Sequence, residues 1–120
     1  MNTKIFGIVG AGPVGSILAS YLSNHCNKVY IVDLLTDLIN TINEKGIKVY
    51  HEESVISSFP AAFTSIETLY DKKIDYLFIC IKAVFLKNIL KSLNGFDMKK
   101  TAIISFQNGI DTEDFISKHY

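Results

Sequence analysis

The feature that most constrains this chain is the string Gly10-Ala11-Gly12-Pro13-Val14-Gly15, because of where it falls. It follows directly on an apolar run, Ile5 to Val9, and opens a segment in which Val14, Leu18, Tyr21 and Leu22 recur at helical spacing. A second apolar run, Val29 to Val32, ends at Asp33, about 20 residues beyond the glycines. A glycine string alone is weak information, but strand, glycine turn, helix and second strand in succession specify a βαβ unit. Gly10 permits the tight turn, Gly12 lets backbone approach a pyrophosphate, and Gly15 lets the helix pack close to the sheet. Pro13 suits a first helical position, where its missing N–H costs little. Ala11 completes the loop, and the N–H groups of Val14 and Gly15 are expected beside the diphosphate at the helix's positive end.

Two further runs, Tyr76 to Ile81 and Ala102 to Phe106, are apolar apart from Ser105 and do not alternate with polar positions. Strands wet on one face alternate, so such runs imply parallel strands covered on both faces. Helical stripes lie between them: Leu34, Leu38 and Ile42 flanked by Leu35 and Ile39, then Val84, Phe85, Ile89, Leu90 and Leu93. The alternation predicts an α/β fold, a Rossmann-like doubly wound and mostly parallel sheet. Ile47 to His51 and Val55 to Phe59, around Glu52-Glu53-Ser54 and stopped by Pro60, are expected to form a short hairpin. Residues 1–120 read as one dinucleotide-binding domain with no internal boundary. Asp111-Thr112-Glu113-Asp114 has the acidic first turn of a helix, and no sixth strand follows it.

Charge narrows the partners. Twelve acidic residues balance twelve basic ones, so nothing draws the chain to a polyanion, and neither nucleic acid nor a membrane is expected as partner. Every basic residue is a lysine, so a guanidinium clamp on phosphate is absent from the chain itself. Cys26 and Cys80 lie far apart in apolar surroundings without metal-site or disulfide spacing, and the opening apolar run is too short for a signal peptide or membrane span. A reducing, cytoplasmic setting is the expectation.

Asp33 stands where a carboxylate accepts hydrogen bonds from ribose hydroxyls and repels a 2′-phosphate, which favours NAD over NADP. Asp33 can equally cap a helix starting near Leu35. In open α/β sheets, ligands gather beyond the carboxyl ends of the strands. Two polar groups occupy such ends: Lys82 after Ile81, and Gln107-Asn108-Gly109 after Phe106. Taken singly, each reads as a strand terminator or a turn.

The glycine string with Ile81-Lys82-Ala83 and Phe106-Gln107-Asn108-Gly109 resembles the N-terminal domain of the ketopantoate reductase (2-dehydropantoate 2-reductase) family, over nearly the whole chain. The resemblance implies reduction of a small 2-oxo acid by hydride from a nicotinamide, in the route to pantothenate, and a hairpin insertion after the third strand. It implies that Lys82 lies near cofactor and substrate, that Asn108 orients substrate or nicotinamide, and that Gln107 lines the cofactor cleft. Lys82 and Asn108 are thus the candidate catalytic pair, since hydride addition puts negative charge on oxygen that an ammonium or amide can stabilise. No metal is implied. Two departures stand out: the family commonly prefers NADP, with a basic residue after the second strand where this chain has Asp33-Leu34-Leu35, and the family's helical C-terminal domain, source of its main catalytic lysine, is missing. The chain would then need that domain or a second copy to turn over. The competing readings are a stand-alone NAD-binding regulatory module and the front of an FAD flavoprotein, for which a yellow purified protein would speak.

Overall fold

The computed structural model describes residues 3–25 and 27–106. In chain order the elements are β1 (Ile5–Val9), α1 (Pro13–Ser23), β2 (Lys28–Val32), α2 (Thr36–Lys45), β3 (Ile47–His51), β4 (Ser54–Ser58), β5 (Ala61–Phe63), a 3-10 turn (Ile66–Leu69), β6 (Tyr76–Ile79), α3 (Ala83–Leu93) and β7 (Ala102–Ser105). Among the described residues, five strands form one sheet in the order β5-β2-β1-β6-β7, all neighbours parallel. This is the doubly wound order, and strand succession reverses between β1 and β6. β1 pairs in register with β2 from Ile5 opposite Lys28 to Val9 opposite Val32, and with β6 from Phe6 opposite Tyr76 to Val9 opposite Ile79.

The uninterrupted apolar runs have a direct cause. Val9, Tyr30, Val32, Leu77 and Ile79 enter one core with Leu69 of the 3-10 turn and Leu86, Leu90 and Leu93 of α3. Their strand neighbours Ile8, Val29, Ile31 and Phe78 enter a second core with Ala19 of α1 and Ile39 and Ile42 of α2. Each strand feeds alternate side chains to two dry layers, so the strand interiors have no regular polar alternation.

The hairpin forms as β3 and β4, paired from Ile47–Ser58 to His51–Ser54 around the two residues Glu52 and Glu53. It precedes the third parallel strand rather than following it, which corrects the expected position. That strand, β5, is only Ala61-Ala62-Phe63 beside Pro60, too short to register as an apolar run. It holds because Asn43 of α2 acts as its missing neighbour: the Asn43 amide donates to the Ala62 carbonyl (2.9 Å) and its oxygen accepts from the Ala62 N–H (3.1 Å). Ser20, fully buried in α1, shares a 3.1 Å hydrogen bond with Ser58 and so fastens the hairpin to the helix.

Helix orientations also differ from the stripes read in the sequence. α1 buries Gly15, Ala19 and Ser20 and turns Val14 and Tyr21 outward, because the small side chains allow the helix to lie close on the sheet. Leu34 and Leu35 precede α2 and are exposed, as are Val84 and Phe85 at the start of α3. The predicted helix around Asp111 to Asp114 lies outside the described residues. Among the described residues, no helix is long and apolar enough to cross a membrane.

Candidate functional site

β1, β2, β5 and β6 end on the same side of the sheet, and the segments that leave them enclose a cleft of about 770 Å³. Its floor is the glycine loop. Gly10 has φ +110°, and a Cβ there would stand 2.6 Å from the Cys80 carbonyl oxygen, so no other residue fits without displacing the end of β6. Its N–H donates to Val32 at 2.7 Å. A Cβ on Gly15 would fall 1.8 Å from the Gly10 carbonyl oxygen, which is the close helix-to-turn approach expected of it.

Gly12 is different. Its backbone is extended (φ −75°, ψ −167°) and a Cβ there would meet nothing within 4 Å. Among the described residues, no intramolecular contact requires glycine at this position. What an added methyl group would occupy is the cleft itself, in front of a helix that starts with Pro13, has no side-chain cap and carries no acidic residue in its first turn. That is the geometry an anionic diphosphate needs: open backbone, first-turn N–H groups and the positive helix end.

Asp33 is half-buried at the cleft and doubly engaged. One carboxylate oxygen accepts from the Ala11 N–H at 2.8 Å and the other from the Leu35 N–H at 3.0 Å. The helix begins only at Thr36, with Leu35 at its cap position, so Asp33 organises the turn ahead of α2 and is not its N-cap. A carboxylate has about four acceptor positions, which leaves Asp33 capacity for a ligand's hydroxyls.

Gly10, Gly12, Pro13, Val14, Asp33 and Lys82 all line this one cleft. Ala11 and Gly15 are buried beneath it. Lys82 is exposed at the N-cap position of α3, the one cation among the described lining residues, where Asp33 and Glu67 are the anions. Phe106 leans on Phe78 (centroids 5.4 Å apart) and closes the β7 side; Gln107 and Asn108, which follow it, lie outside the described residues. Cys80, also in the lining, is a free thiol whose burial pushes its pKa from an ordinary 9.0 up to about 11, so it is protonated and unreactive at neutral pH.

Sequence reasoning missed one wall. Ser65 and Glu67 follow the unrecognised β5, and Phe85, Asn88 and Ser92 lie along α3. Positions 85, 88 and 92 share a helix face at i, i+3 and i+7 spacing, a signal that was present but hidden by reading Phe85 and Ile89 as core.

A five-stranded doubly wound sheet with a bare glycine turn at its switch point defines a Rossmann-type domain. The model of the family described as ketopantoate reductase PanE/ApbA matches residues 6–120, and the chain belongs to that family. It is 27% identical over 112 residues to the 2-dehydropantoate 2-reductase of Streptococcus pyogenes serotype M3, covering 93% of this chain and 36% of that protein. The probable 2-dehydropantoate 2-reductase panE of Bacillus subtilis superposes with a TM-score of 0.84 at 28% identity, over 97% of this chain and 38% of that one. A D-mandelate dehydrogenase solved with NADH and anilino(oxo)acetate has the same TM-score, 0.84, at 24% identity, and so shares the fold. The chain spans little more than a third of the length of these relatives.

Proposed function

We propose that this chain is the cofactor-binding part of a nicotinamide-dependent reductase of a small 2-oxo acid, 2-dehydropantoate being the substrate its family suggests, and that it takes NAD in preference to NADP. The observation that carries the reading is Gly12: a glycine whose side-chain space no described residue fills and which opens onto the cleft at a helix N-terminus. Asp33 supports the choice of NAD, since a carboxylate and a 2′-phosphate repel each other and the chain has no arginine to offset that. That the D-mandelate dehydrogenase of the same fold was solved with NADH is in keeping with it.

Bound there, a nicotinamide dinucleotide supplies a hydride for the ketone carbon. The chain's own part is to hold the diphosphate on the Val14 and Gly15 N–H groups, to orient the adenosine ribose at Asp33, and to present the Lys82 ammonium near the developing oxyanion, which it stabilises and can protonate. By family resemblance Asn108 adds an amide donor, with Gln107 beside the cofactor. The expected setting is cytoplasmic.

Fluorescence titration should give NADH a dissociation constant about tenfold or more below that of NADPH, and no binding of FAD. Asp33→Ala removes both the ribose acceptor and the anchor of Ala11, so affinity for both nucleotides falls, NADH more. Equal affinities in the parent protein would overturn the NAD assignment, and no binding of either nucleotide would overturn the whole reading. Oxidation of NADH by 2-dehydropantoate tests the activity.

A further inference from the structure

The wall of the cleft formed by α3 is held from outside the helix. Glu67, in the 3-10 turn, accepts a hydrogen bond from the Ser92 hydroxyl at 2.8 Å through one carboxylate oxygen and from the Ser65 hydroxyl through the other. Tyr70, one residue beyond the same turn, donates its hydroxyl to the Ser92 carbonyl at 2.5 Å and sets its ring edge-on against Phe96, centroids 5.0 Å apart. Gly95 makes room for that ring: a Cβ there would lie 2.1 Å from it. The C-terminal end of α3 is therefore tied to the 3-10 turn through two groups of Ser92, its hydroxyl and its carbonyl. The opposite end starts at Lys82, and between them Phe85, Asn88 and Ser92 face the cleft while Leu86, Leu90 and Leu93 face the core.

We propose that Glu67 is a positioning residue for the dinucleotide cleft, pinning α3 through Ser92 so that the helix side from Phe85 to Ser92 stays in place as the cofactor wall. Each carboxylate oxygen accepts from a serine of the protein itself, one of them on α3, so the carboxylate ties the 3-10 turn to the helix. The two serine bonds, led by Ser65, also hold the Glu67 carboxyl below its ordinary value of 4.5, so the grip is ionised and intact at neutral pH. This proposal rests on the dinucleotide reading for its consequence but not for its geometry.

The test uses the full chain and four variants, Glu67→Ala, Glu67→Gln, Ser92→Ala and the Glu67→Ala/Ser92→Ala pair, with NADH as probe well below the melting temperature. Glu67→Ala and Ser92→Ala should each weaken NADH binding by about tenfold, and the double variant should be no weaker than Glu67→Ala alone. Glu67→Gln keeps an amide oxygen for Ser92 and should stay within about threefold of the parent. Hydrogen exchange without any nucleotide should speed up in α3 of Glu67→Ala and stay unchanged in α1. Unchanged NADH affinity in Glu67→Ala and Ser92→Ala overturns the proposal, even if melting falls. A silent Ser92→Ala beside a weak Glu67→Ala overturns it in favour of direct contact. Should the parent bind no NADH, the dinucleotide reading fails, while α3 exchange still decides whether Glu67 holds the helix.

Discussion

Three glycines in one loop carry three separable duties. Gly10 and Gly15 are fixed by protein backbone, at 2.6 and 1.8 Å from where their Cβ atoms would be, whereas Gly12 faces open space. Gly15→Ala is expected to cost about 3 kcal/mol or more, since helix or turn must shift. Gly12→Ala should change stability by less than about 1 kcal/mol, a matter of capping preference alone. The same Gly12→Ala should lose most nucleotide affinity. Urea unfolding beside NADH titration separates the two effects, and a Gly12→Ala protein that binds normally would contradict the site. Cys80 gives a pH prediction. Its thiol pKa is raised in the fold, so the unfolded chain ionises first and the contribution to stability, complete below pH 9, is lost as pH rises towards 11. At pH 8 its thiolate fraction is about a hundredfold below that of an unperturbed cysteine. Alkylation followed on the peptide containing Cys80 should therefore be slow in the folded protein and fast in denaturant.

At the level of elements, β5 shows how a three-residue strand survives at a sheet edge. It gains its inner partner from β2 and its outer one from a single side chain, the Asn43 amide, which serves both the N–H and the C=O of Ala62. Asn43→Ala strips two backbone groups of a buried residue at once and is expected to cost about 2 kcal/mol, read as a shift of the urea midpoint at constant slope. Asn43→Asp keeps the acceptor, loses the donor and should fall between. Because Thr64, Ser65 and Glu67 follow this strand into the cleft, the loss should also weaken nucleotide binding. α1 makes a related point about packing. Its small face goes inward and Val14, Ile17 and Tyr21 outward, so volume decided the buried side where hydrophobicity ranked the residues the other way.

For the molecule as a whole, a ligand that binds only the folded state must raise the melting temperature by mass action. At a hundred times its dissociation constant NADH contributes about 2.7 kcal/mol, a shift of roughly 11 °C for a domain of this size. FAD at the same concentration should give none. Scanning calorimetry with NADH, NADPH and FAD thus ranks the three cofactor classes on one sample. An equal shift with FAD would revive the flavoprotein reading.

Much of this architecture was legible in the residues. β1 runs from Ile5 to Val9 as expected, the other long strands sit within a residue or two of their apolar runs, and Gly10, Gly12, Asp33 and Lys82 meet in one cleft. These features are local: an apolar run, a glycine spacing and a strand end are written contiguously, and parallel pairing then carries the strand ends to one side. What stayed hidden depends on contacts between distant residues. β5 exists through Asn43, nineteen positions away, and the second wall exists because Glu67 reaches Ser92, twenty-five positions on. The chain alone thus determined the fold class and the placing of the glycine turn and of Asp33 at the strand ends, since each follows from short-range sterics and periodicity. Only the packed structure decided which helix faces are buried, where the hairpin belongs and which residues complete the cleft, because those outcomes depend on how side-chain volumes and hydrogen-bond partners are satisfied across the assembled layers.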